Sequence, residues 1–187
     1  MVESIRTDRL SIRCWQLEDA PLLKAAIDRS LPELQMWVPW ALDEPWPLEA
    51  VKARITAMRA KFLTGEDWAF GVFDQRETKV LGGVGLHPRG RTDHLDVGYW
   101  IRTDLVGQGL AVEAAGAMCA VAFAHTTLPH VEIHCDADNR RSAAVARRLG
   151  FTLSRTFLEP AVTARGAERT TLVWTLPRGL RASGPGL

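Results

Sequence analysis

Between Val97 and His125 the sequence changes character twice. A short apolar run, Val97-Gly-Tyr-Trp-Ile101, gives way to a turn containing Val106-Gly-Gln-Gly-Leu-Ala111, and this opens a long Ala-rich stretch. That order reads as strand, glycine turn, helix. Gly107 and Gly109 let the backbone turn with no Cβ in the way. The free N–H groups of the first helical turn, aided by the helix dipole, then make a seat for an anion such as a pyrophosphate. The segment is not a P-loop, because no Gly-Lys-Ser/Thr follows, and it lacks the third glycine of a Rossmann fingerprint. A plain tight turn is the other reading of the two glycines.

The rest of the chain sets this device in a mixed architecture. Arg9–Trp15 alternates Leu10, Ile12 and Cys14 with Ser11 and Arg13, the two-residue period of a half-buried strand. Asp19 and Pro21 open a helix whose apolar stripe is Leu22, Leu23, Ala26 and Ile27. Leu34–Pro47 carries three tryptophans and three prolines, too interrupted for a long regular element. Pro47 starts a second helix with Val51, Ile55, Met58 and Phe62 on its buried face, and Gly65 ends it. Beyond Gly65 the apolar runs Trp68–Phe73, Val80–Leu86 and Leu95–Ile101 are divided by polar turns, as in a β-meander. Gly107–His125 reads as the long helix, Val131–Cys135 as a strand, Ser142–Leu149 as a short helix, and Phe151–Leu158 and Arg169–Leu176 as the last strands. Residues 1–176 are expected to form a single domain of α+β (mixed α/β) class, with 177–187 a frayed tail.

A chain of 187 residues is the size of one domain. With 23 Lys and Arg against 22 Asp and Glu, the net charge of +1 gives no global field toward nucleic acid or an anionic membrane. No apolar run has the length of a membrane span, and Met1–Arg6 lacks a signal peptide's apolar region, so a cytoplasmic protein is expected. Cys14, Cys119 and Cys135 are odd in number and show no CxxC spacing, which argues against a disulfide framework or a cysteine-based zinc site. Cys119 and Cys135 read as small buried hydrophobes, so a covalent acyl-cysteine route is disfavoured.

A second motif follows the strand Val131–Cys135: Asn139-x-x-Ser142-x-x-Val145-Ala146-x-Arg148-x-Gly150-Phe151. Together with Val106–Ala111 it resembles the Gcn5-related N-acetyltransferase (GNAT) superfamily. Thr7–Arg13 (T-x-R-L-x-I-R), the Trp-rich Leu34–Trp40 and the G-Y-W-I strand resemble its RimJ/RimL-like branch more narrowly. The resemblance runs from about Thr7 to Leu176.

The resemblance implies a central, mostly antiparallel, splayed sheet flanked by helices, and acetyl-CoA as cosubstrate with no metal. The pantetheine arm would bond to backbone around Tyr99, Trp100 and Ile101, and the diphosphate would sit on Val106, Gly107, Gln108, Gly109, Leu110 and Ala111. Asn139 would bond the pantetheine arm, and Arg148, with Arg140, Arg141 and Arg147 nearby, would meet the adenosine 3′-phosphate. Each of these arginines has a solvated helix face as its other reading. Two positions depart from the family pattern. Val106 stands where Arg or Gln is common, and Ala146 stands where many members carry the tyrosine that protonates the departing thiolate. Ser142 is the candidate replacement, because a hydroxyl can donate to sulfur.

For the base the candidates are Asp96, His87 and, more weakly, Glu159. His134 is expected to face either core or cleft. Trp37, Trp40 and Trp46 would either wall an acceptor site, with His134 beside them, or pack under the Pro-rich loop. The expected activity is acetyl transfer from acetyl-CoA to a primary amine, by direct attack in a ternary complex. The acceptor would be a protein or peptide N-terminus or a small molecule such as an antibiotic. The alternative is a catalytically silent acyl-CoA sensor, suggested by Ala146. Neither nucleic acid nor membrane is an expected partner; a homodimer is implied by the family alone.

Overall fold

The computed structural model describes residues 1–164 and 166–179, with 161, 162 and 167 described by backbone alone. Twelve principal elements follow one another: β1 (Ser4–Arg6), β2 (Leu10–Cys14), α1 (Ala20–Trp37), α2 (Leu48–Thr64), β3 (Trp68–Asp74), β4 (Val80–His87), β5 (His94–Ile101), α3 (Leu110–His125), β6 (His130–Asp136), α4 (Arg140–Arg148), β7 (Thr152–Thr163) and β8 (Gly166–Pro177). The strands form one eight-stranded sheet in the order β1-β2-β3-β4-β5-β6-β8-β7. Every neighbouring pair is antiparallel except β5 and β6. A parallel pair needs a crossover, and α3 supplies it.

The parallel pairing is short. It covers His94↔His130, Leu95↔Val131 and Asp96↔Glu132, and then stops. From Val97 on, β5 stays with β4 as far as Ile101↔Gly82, while β6 stays with β8 as far as Asp136↔Thr171. The two strands therefore part into a V that opens toward their C-terminal ends. Alternation puts Leu95, Val97, Tyr99 and Ile101 against the core that includes α3, whose Ala114, Met118 and Cys119 are buried in it. On the other face a second core joins α1 and α2 to β3 and β4 through Leu23, Ile27, Val51, Ile55 and Phe73.

Several elements differ from the sequence expectation, for local reasons. β1 is only three residues long and mostly exposed, too short to show a period. α1 continues through Pro32 to Trp37, so the irregular stretch begins at Val38 and not at Leu34. α3 begins at Leu110, because Gly107 (φ +83°) and Gly109 (φ +79°) are left-handed. β7 and β8 are twelve residues each, longer than the apolar runs that marked them, since cross-strand pairing carries them into polar sequence. The expected tail starts with a docked residue: Arg178 donates to the carbonyls of Phe123, Thr126 and Leu128. Residues 180–187 of that tail lie outside the described residues. Among the described residues, no helix is long and apolar enough to cross a membrane.

Candidate active site

The V between β5 and β6 is the mouth of a cleft of about 670 Å³. Val97–Ile101 forms one wall, Ile133–Asp136 the other, and the turn into α3 lies at one end. Gly109 is the N-cap of α3, and the first intrahelical bond runs from Glu113 N to Gly109 O. The N–H groups of Leu110, Ala111 and Val112 thus have no partner inside the helix, and all three residues line the cleft. A Cβ at Gly107 would meet nothing within 4 Å, so the left-handed backbone, and not crowding, requires glycine there.

A side-chain clamp holds this turn from behind. Arg9 Nη1 donates to Gln108 O at 2.8 Å, and Arg9 Nε donates to Glu113 Oε2 at 2.6 Å. Thr7 Oγ1 and the Arg9 backbone N–H both donate to Glu113 Oε1. Burial alone would raise the Glu113 carboxyl, but the bonds from Thr7 and Arg9 outweigh it and hold the group below its ordinary range.

Across the cleft, the Tyr99 hydroxyl lies 2.9 Å from Ser142 Oγ and 3.2 Å from the Ser142 carbonyl. Burial pushes the phenol far above its ordinary pKa, so it stays protonated. Asn139 caps α4 by accepting the Ser142 N–H at 3.0 Å, which fixes Ser142 at the wall. Glu159 also lines the cleft, where its Oε1 accepts bonds from Thr171 Oγ1 at 2.5 Å and Arg169 Nε at 3.0 Å. Desolvation raises this carboxyl, yet those two donors leave it lowered overall. Trp37 Nε1 donates to Glu33 Oε1, which also accepts from Arg141, so α1 and α4 are bridged beside the cleft.

The family model described as an acetyltransferase (GNAT) domain matches residues 9–152. The chain belongs to the GNAT acetyltransferase family. Two relatives come from Bacillus subtilis (strain 168). One is a candidate N-acetyltransferase, YjcK, 26% identical over 58% of this chain; the match spans 61% of that protein's length. The other is a candidate ribosomal N-acetyltransferase, YdaF, 24% identical over 77% of this chain and 78% of its own. Among solved structures, the same fold occurs in RimL, the ribosomal L7/L12 α-N-protein acetyltransferase, in complex with coenzyme A. Its TM-score is 0.82 at 20% identity, over 94% of this chain and 98% of that one. It occurs also in the microcin C7 self-immunity acetyltransferase MccE bound to acetyl-CoA and AMP, with TM-score 0.81 at 18% identity, over 91% and 93%.

In this GNAT domain most of the residues expected to hold the cosubstrate share one cleft. Tyr99, Trp100, Ile101, Val106, Gly107, Gly109, Leu110, Ala111, Asn139, Ser142 and Arg148 all line it. Gln108 does not: its carbonyl is turned back to Arg9. Of the neighbouring arginines, Arg141 also lines the cleft, while Arg147 lies over the Trp174 ring at 5.6 Å.

The acid–base candidates separate more sharply. Asp96 is buried outside the cleft lining: it sits where β5 still pairs with β6, opposite Glu132, and packs against Arg89, His94 and His134. His87 is also absent from the lining; its Nδ1 is 2.6 Å from Asp67 Oδ1 and its ring covers Gly85 and Gly98. His134 and Glu159 do line the cleft. Of the tryptophans, Trp37 does so as well. Trp40 packs edge-on against Trp100 at 6.2 Å, and Arg54 lies over both Trp40 and Trp46 in the second core. Arg9 went unassigned in the sequence, although the Thr7–Arg13 motif contained it; only the fold brings it to the glycine turn.

Proposed function

We propose that this domain transfers the acetyl group of acetyl-CoA to a primary amine by direct attack in a ternary complex. The carrying observation is the early end of the β5–β6 ladder beside the glycine turn. On its β6 side, the backbone of Val97–Ile101 keeps its N–H and C=O groups free of sheet partners, and a pantetheine arm can occupy that edge as an added strand. The diphosphate rests on the N–H groups of Leu110–Val112, the Asn139 amide faces the arm, and Arg148 meets the 3′-phosphate.

The amine adds to the thioester carbonyl, the tetrahedral oxyanion collapses, and the C–S bond breaks as the thiolate leaves. Ser142 donates a hydrogen bond to that thiolate, which takes its proton from water as it departs. Tyr99 and Ser142 share a hydroxyl–hydroxyl bond in which either can donate, and when the phenol donates, the serine hydrogen can turn into the cleft. A phenol thus acts from β5 where the family often places one on α4, at Ala146. Glu159 takes the proton of the amine through water, and Trp37 and His134 wall the acceptor end. The acceptor is a protein N-terminus or a small-molecule amine; the names of the relatives include both kinds.

The test is thiol release from acetyl-CoA with a panel of N-terminal peptides, polyamines, aminoglycosides and aminoacyl nucleotides, with products read by mass. One acetylated class confirms the reading and names the acceptor. Tight acetyl-CoA binding without thiol release, repeated with succinyl-CoA, overturns it in favour of a sensor.

A further inference from the structure

At the vertex of the V, where β5 and β6 still pair, four side chains converge. Alternation sends His94 and Asp96 of β5, and Glu132 and His134 of β6, to one face of the sheet. One atom from each lies within 4.8 Å of all the others. His94 Nε2 is 3.3 Å from Glu132 Oε2 and 3.5 Å from Asp96 Oδ1. His134 Nε2 is 2.7 Å and 3.6 Å from the same two oxygens. A tetrahedron of ligands held at about 2.0–2.1 Å from an ion has edges of about 3.3 Å. We propose that His94, Asp96, Glu132 and His134 form a binding site for one divalent transition ion of the zinc class.

Asp96 gives independent support. Its side chain is 4% exposed, and among the described residues neither carboxylate oxygen accepts a hydrogen bond of sound geometry. Oδ2 lies against the Arg89 guanidinium, while Oδ1 has only the two imidazole nitrogens, both beyond ordinary bonding distance. A buried acceptor left in this way costs free energy that a cation at the centre of the group removes.

The surroundings match those of a metal ligand set. His94 Nδ1 is 3.0 Å from Asp93 Oδ1, which orients the ring with Nε2 inward. Arg155 donates to both oxygens of Glu132, and Arg89 lies at the outer oxygen of Asp96. Both guanidinium groups reach solvent, at 47% and 64% exposure, so water screens their repulsion of an ion. Two imidazoles with two carboxylates suit a borderline ion in four-coordination better than magnesium or calcium, which take six or more oxygens. Uptake replaces the His134 Nε2–Glu132 Oε2 contact with bonds to the ion, which ties β5 to β6 where they diverge. Acetyl transfer needs no metal, and this site stands or falls apart from that reading.

The experiment uses tag-free full-length protein stripped with EDTA and then given zinc or cobalt(II). One equivalent retained through gel filtration, a rise in Tm reversed by EDTA, and the strong visible bands of four-coordinate cobalt(II) are expected; magnesium should do nothing. His134→Gln, at a half-exposed position, and His94→Gln should lose the bands, while His125→Gln, on an exposed position of α3, keeps them. Asp93→Asn, which removes the charged outer contact to His94 and the pair with Arg91 but leaves all four ligands in place, should weaken cobalt binding by about 10–100-fold. Circular dichroism in EDTA checks that each variant folds. No stoichiometric uptake by the folded parent, or bands that persist in both His94→Gln and His134→Gln, overturns the proposal.

Discussion

Tyr99 and Ser142 meet hydroxyl to hydroxyl at 2.9 Å, joining β5, where it has parted from β6, to α4 on the cleft wall. On the proposed mechanism the pair stands in for a tyrosine at Ala146, which is fully buried. Ser142→Ala removes the donor facing the sulfur, and kcat is expected to fall about 10²-fold or more while acetyl-CoA affinity changes little. Tyr99→Phe leaves Ser142 free to spend its hydrogen elsewhere and should lower kcat less. Steady-state kinetics with direct acetyl-CoA binding checks both; a pure binding defect in Ser142→Ala would make the serine a cosubstrate contact only.

Gly107 separates conformation from crowding. Its φ of +83° disfavours any side chain, although the space beside it is open. Gly107→Ala should cost about 1–2 kcal/mol in stability or in formation of the turn, and Gly107→Asn less, because asparagine tolerates the left-handed region. Gly109→Glu puts a carboxylate in the diphosphate's seat and should abolish acetyl-CoA binding. Thermal melts and calorimetric titration of the three variants give the comparison, and unchanged affinity in Gly109→Glu would move the cosubstrate elsewhere.

The half of the cleft proposed for the cosubstrate could be assembled from the sequence because its signals are local. Gly107 and Gly109 sit beside the helix they open, and Asn139 caps the helix that carries Ser142 three residues on. The acid–base groups could not, because their placement depends on strand parity and on where the β5–β6 ladder ends. Asp96 lies one residue before Val97, yet it is the last β5 residue paired with β6, and that pairing leaves it outside the cleft lining. His94, Asp96, Glu132 and His134 are divided in sequence by all of α3 and adjoin only through a parallel pairing that no spacing encodes. Arg9 was hidden in the same way: its partners Gln108 and Glu113 are about a hundred residues distant.

The Arg9–Glu113 clamp makes stability depend on pH in a defined direction. Desolvation opposes ionisation of Glu113, but the donors Thr7 and Arg9 lower its folded pKa below the unfolded value of about 4.3. A depressed carboxyl contributes stability that is present above the unfolded pKa and lost as pH falls through the folded one. The parent protein should therefore lose an increment of Tm below about pH 4.3 that Glu113→Gln, already lacking it, does not lose. Melts from neutral to acid pH test this; parallel curves for the two proteins would show that the clamp carries no net charge stabilisation.

Glu159 places the last test on the chemistry. The group acts as a base only when ionised, and the bonds from Thr171 and Arg169 keep it ionised to below the ordinary carboxylate range, after desolvation has pulled the other way. A carboxylate this acidic is a weak base for an ammonium ion, so the proton must pass through water to it, and the rate contribution should lie near the low end of about 10²–10⁴-fold. Glu159→Gln should lower kcat by that amount, flatten the acid limb of the pH–rate profile, and leave acetyl-CoA affinity unchanged. Thr171→Val removes one of the two donors and should move the limb toward higher pH without abolishing turnover. If the limb stays where it is in both variants, Glu159 only shapes the acceptor end, and the proton leaves through another group on the cleft wall.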